Sequence, residues 1–130
     1  MSDLNRRVIL AVALALTLGP TPSLAQAGVD IVQIWRNFIA TGIASHECGD
    51  GDIAANRRFQ ASLTALTVKT AQTLQRRNPL LSQADVVAQM RTISDQVEQK
   101  VEAEIRQNTC ASKKTQVLLK LYKVHALMRF

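Results

Sequence analysis

Apolar residues recur along this chain every three or four positions, in four stretches separated by short polar breaks, and that rhythm predicts helices rather than strands. After residue 27 there is a single proline, Pro79, and no alternating apolar and polar run flanked by turn pairs. The first helix is expected from about Ile31 to Ser45, with Ile31, Ile34, Trp35, Phe38, Ile39 and Ile43 on one stripe. It should stop in His46-Glu47-Cys48-Gly49-Asp50-Gly51, a glycine-broken loop from which Asp52 caps the next helix. The second is expected from Ile53 to Arg77, burying Ala55, Phe59, Leu63, Leu66, Thr70 and Leu74. Asn78-Pro79 ends it, because the residue before a proline is pushed out of helical geometry.

The third helix has the clearest start. Ser82 and Asp85 are spaced as a capping box, with Leu81 and Val86 as a hydrophobic staple, and the stripe Val86, Met90, Ile93, Val97, Val101 and Ile105 runs on to about Asn108. Glu102 and Arg106 stand four apart on its outside in the favourable order. The fourth follows Ser112 through Val117, Leu118, Leu121, Tyr122, Val124 and Met128, and its apolar residues go most of the way round. Such a helix is either covered on several sides or open to a partner.

At 1.5 Å per residue the middle pair should be roughly 37 to 39 Å long and the outer pair roughly 22 to 27 Å. Short loops favour antiparallel neighbours. The expected fold is therefore all-α, an up-down four-helix arrangement with a long central helical hairpin and two shorter outer helices. That topology puts the first and third loops at one end, which brings Cys48 beside Cys110. The far tip of the hairpin, from about Thr73 to Met90, is either folded into the core or projects as a binding tip. The residues that decide between these are Leu74, Leu80, Leu81, Val87 and Met90, beside Arg76 and Arg77.

The N-terminus changes the picture of what folds. Arg6-Arg7, an apolar run from Val8 to Leu16, Pro20 and Pro22, and then Ala25-Gln26-Ala27 follow the grammar of a cleavable secretory signal peptide. The apolar run is too short for the ~20 residues that cross a bilayer. The expected division is a leader over residues 1–27 and a single helical domain over residues 28–130. A periplasmic or secreted address also favours a Cys48–Cys110 disulfide over two thiols or a metal site.

The full chain of 130 residues carries a net charge of +6. Without the leader, which holds Arg6, Arg7 and Asp3, 103 residues keep +5, unevenly placed. Residues 29–52 are net negative, with Arg36 against Asp30, Glu47, Asp50 and Asp52, while Lys113, Lys114, Lys120, Lys123 and Arg129 follow residue 112 with no acidic residue among them. A basic, strongly apolar last helix suits a protein partner or peripheral contact with an anionic membrane surface. Nucleic acid is a poor partner for an exported chain whose five aromatics sit on apolar stripes or at the terminus.

Candidate chemistry is sparse. The loop cluster His46, Glu47, Cys48, Asp50 and Asp52 fails as a calcium loop, since Ala54 and Ala55 stand where a ligand and a glycine are required. His125 falls inside the apolar arc of the last helix, where a core or boundary histidine held by a hydrogen bond is expected. Arg58, Lys69 and Arg76 share one side of the second helix and read as a solvated face, with Asp95, Glu98 and Glu102 along the third. No catalytic residue, cofactor or metal is assigned. The leading expectation is a small exported binding module: a chaperone, an inhibitor or a subunit of an envelope or secretion assembly, with a protein partner or a second copy. Two rivals are a small helical enzyme on an anionic metabolite, of the chorismate-mutase kind, using Arg57, Arg58, Lys69, Glu98 and Gln99, and an acid-stress chaperone opened by protonation of carboxylates and His125.

Overall fold

A computed structural model describes residues 30–130, and the expected leader, residues 1–27, lies outside them. Within it Ile31–Phe130 forms one compact unit of four helices: α1 (Ile31–Cys48), α2 (Ile53–Arg77), α3 (Gln83–Asn108) and α4 (Lys113–His125). They pack as an up-down bundle, and no strand occurs among the described residues.

Most boundaries follow from local chemistry. The Asp52 side chain accepts the Ala55 amide at 3.0 Å and starts α2. Ser82 and Asp85 close the capping box of α3, each side chain accepting the other residue's amide at 3.1 Å. Hydrogen bonds from the Ser82 side chain, and then from its backbone, hold the Asp85 carboxyl below the ordinary carboxylate range. Ser112 accepts the Thr115 amide at 3.2 Å to start α4. Glu102 and Arg106 pair at 3.8 Å on the exposed side of α3, as their spacing predicts.

Two boundaries differ from expectation. Helix α1 continues three residues past Ser45 to Cys48, because nothing in His46-Glu47-Cys48 interrupts it before Gly49 donates its amide to the Ser45 carbonyl at 2.8 Å. Helix α4 stops at His125, short of Met128. There the ladder tightens to three-residue bonds, Leu127 to Val124 at 3.0 Å and Met128 to His125 at 3.1 Å, and the chain peels away.

Outer in the sequence, α1 is the inner helix in space. It packs more extensively against each of the other three than any of those pack against one another. Its buried residues Val32, Trp35, Phe38, Ile39, Thr41 and Ala44 cover more than half of its circumference, as a surrounded helix requires. Trp35 donates its indole N–H to Thr67 Oγ1 at 3.1 Å, which ties α1 to α2. Gly42 permits the approach of those two helices, since a Cβ there would lie 2.9 Å from the Phe59 ring.

The core has an aromatic layer. Phe38, fully buried, stacks on Phe59 with centroids 5.4 Å apart, on His125 at 4.0 Å, and meets Phe130 edge-on at 5.5 Å. Tyr122 leans on Phe59 at 4.6 Å. Residues after α4 seal this layer: the Ser62 hydroxyl donates to the Met128 carbonyl, and Phe130 follows.

Candidate functional site

The first and third loops meet as the topology requires. Cys48 and Cys110 form a disulfide across 62 residues, with Cα atoms 5.6 Å apart. The acidic loop beside it holds no metal-binding geometry: among the described residues no three His, Cys, Asp or Glu side chains converge. Asp50 accepts the Asp52 amide at 3.1 Å and lies 3.7 Å from Lys123 Nζ, so these carboxylates act in capping and in a solvent-exposed ion pair.

The hairpin tip is divided. Leu74 and Met90 are buried and Leu81 is half-buried, with Val86 between them in the core. Gln75 donates to the Leu81 carbonyl at 2.7 Å and clasps the turn. Leu80 is 95 % exposed and Val87 about half exposed, flanked by Arg76 and Arg77 on the surface. Two separated apolar side chains are ordinary for a protein surface.

Helix α4 is different, because its two faces are both apolar and only one is covered. Thr115, Tyr122 and His125 face the bundle, with Leu118 and Leu119 packed against the core. Tyr122 donates its hydroxyl to Asn56 at 3.4 Å, and Thr41 Oγ1 lies 2.9 Å from His125 Nδ1. Desolvation pushes the His125 pKa below its ordinary value, since burial against Phe38 disfavours the imidazolium. About a third of a turn away, Val117, Leu121 and Val124 are exposed in a row spaced four and three residues apart. Lys113, Lys114, Lys120 and Lys123 surround that row, and Arg129 is exposed beyond it.

At Val117 the row borders a groove of about 860 Å³ between α3 and α4. Val101, Val117 and Leu118 line it, with Lys100, Glu104, Lys113 and Lys114 around them. The α4 side of this groove follows from the basic apolar helix read in the sequence. The α3 side does not: Val101 counted there only as core, and Lys100 and Glu104 carried no pattern, because a groove between two helices leaves no periodic trace in either one. Thr41, which holds His125 on the inner face of α4, and Phe130, which packs edge-on against Phe38, carry no pattern in the sequence either.

The remaining candidates stay at the surface. Arg57, Arg58, Lys69, Glu98 and Gln99 are all exposed, on the outer faces of α2 and α3. No described helix is long and apolar enough to cross a membrane. Compared with known families, with curated proteins and with solved structures, the chain matches none.

Proposed function

We propose that this protein is a small exported binding module that acts by holding another protein, without chemistry of its own. The observation that carries this reading is the exposed row Val117, Leu121 and Val124 on a helix whose other face already fills the core. A helix apolar on both sides is costly to leave in water, and an uncovered apolar row rimmed by charge is the usual anatomy of a docking surface. Export is supported by the leader grammar of residues 1–27 and by the disulfide, which persists in oxidising compartments. On this reading the leader is removed after Ala27 and residues 28–130 work as one domain in the periplasm or outside the cell. Cross-linking and mass spectrometry in the native envelope, with light scattering of the purified protein, test it. A recurrent protein adduct is expected, and a monomer with no adduct would overturn the proposal.

A second reading has one specific observation behind it. His125 is buried on Phe38 and bonded to Thr41, so charging it on acidification opposes packing at the centre of the core. An acid-opened chaperone would then expose apolar surface at low pH. Binding of a hydrophobic dye measured from neutral to strongly acidic pH decides it, with no gain of dye binding counting against the idea.

A further inference from the structure

We infer that the groove between α3 and α4 receives an acidic amphipathic helix of a partner protein. This deepens the binding-module reading and rests on it. The groove has an apolar floor of buried Val101, half-buried Leu118 and half-exposed Val117, and from Val117 the exposed row continues along α4 through Leu121 and Val124. Positions 117, 121 and 124 follow the four-three spacing by which one helix presents a seam to another. Around the floor stand three exposed lysines, Lys100 on the α3 side and Lys113 and Lys114 on the α4 side. None of them is in an ion pair with a described residue; the pairs nearby are Arg106 with Glu102 and Lys123 with Asp50. Against them stands one carboxylate, Glu104, which accepts a hydrogen bond from Asn108 at 3.1 Å.

Charge selects among occupants. No acidic residue follows Lys113, so two copies of α4 laid face to face would set lysine against lysine, which disfavours a second copy. Nor does another described helix of this chain expose an apolar row flanked by carboxylates: α2 and α3 show Ile53, Val68 and Val87 singly. A flat anionic bilayer meets Val124 and Leu121, but it does not reach Val101 and Leu118 at the bottom of the groove. A helix does. The one that fits has apolar residues at i, i+3 or i+4, and i+7, with Asp or Glu on both sides of that stripe, one flank facing Lys100 and the other Lys113 and Lys114. A length of roughly 14 residues matches the ~20 Å of α4.

The test uses the full domain and a labelled peptide of that length, with leucines at the seam spacing and glutamates on both flanks, read by fluorescence anisotropy. Controls are a peptide of the same composition with leucine order shuffled, a lysine-for-glutamate peptide, and phosphatidylglycerol vesicles. The acidic peptide should bind in the micromolar range, more weakly at high salt, and about tenfold better than either control peptide. Leu121→Asp and Val117→Asp should each weaken it by about tenfold, and Lys100→Glu with Lys113→Glu by about threefold or more. All four positions are solvent-facing, so circular dichroism should be unchanged, and Leu80→Asp at the hairpin tip should leave binding intact. Equal binding of the shuffled peptide, indifference to Leu121→Asp, or binding to vesicles without binding to the peptide would each overturn the inference. Native-envelope cross-links separate its failure from that of the broader reading. Adducts at Lys100, Lys113 or Lys114 to an acidic helical segment support the groove. Protein adducts confined to other lysines, such as Lys69, overturn the groove and leave the binding module standing, and no protein adduct overturns both.

Discussion

The two ends of this bundle are held by different physics. In the half nearer the disulfide, α2, α4 and the residues after α4 meet on Phe38 of α1, whose ring touches Phe59, His125 and Phe130, and a covalent bridge ties the end of α1 to the loop after α3. The hairpin tip consists of two helices held by Leu74, Val86 and Met90, by a capping box and by the Gln75 clasp. A chain of this size has little core to distribute, and here it is concentrated at one end. The exposed apolar row of α4 lies at the stiff end, where the proposed docking surface would sit on a rigid element; the tip is then expected to open first.

Five measurements test this difference between the two ends. Phe38→Ala should be the most damaging, about 4 to 5 kcal/mol by urea unfolding, because the ring is fully buried among aromatics that cannot collapse into its space. Replacing both cysteines by serine should cost about 4 kcal/mol, the chain-entropy value for a loop of this length. Its footprint in hydrogen exchange should fall on the ends of α1 and α3, not on residues 75–85. Leu74→Ala at the tip should cost only about 2 to 3 kcal/mol, and a loss equal to that of Phe38→Ala would erase the distinction between the ends.

His125 gives the fourth test. Its folded pKa lies below the ordinary 6.5, so in the unfolded chain it takes up a proton first as pH falls. The stability it supports is complete above pH 6.5 and is lost as pH drops from 6.5 toward the lowered value. Urea midpoints should therefore decline on acidification through that window, with a shallower decline in His125→Gln. A variant with the wild-type slope would assign the pH dependence elsewhere. The smallest effect is expected for Leu80→Asp, within about 0.5 kcal/mol, since a side chain 95 % exposed has no packing to lose.

Helix starts were legible because capping is local: Asp52, Ser82 and Ser112 each accept an amide three residues on. The stripes of α2 and α3 were legible because those helices bury one side, and nearly every residue expected there is buried or packed against the core. The α1 stripe was read too narrowly, since Val32, Thr41 and Ala44 are also buried once the helix is surrounded. Helix α4 was the least legible. With apolar residues most of the way round, its periodicity does not choose a rotation; Tyr122 against Asn56 and His125 against Thr41 choose it.

Local chemistry and loop length set the number of helices, all four of their starts, the proline stop after α2, the antiparallel order and, through that order, the pairing of Cys48 with Cys110. These depend on residues within a turn or two of each other, or on loop lengths. Contacts between distant residues decided that α1 lies inside, that the last residues fold back so that Phe130 seals the aromatic layer, and that Val117, Leu121 and Val124 face outward, with Val117 beside Lys100 and Val101. Each of these depends on which residues distant in sequence come into contact, and a rotation of one helix by a third of a turn would leave every local pattern unchanged while moving the candidate site to the other side of the molecule.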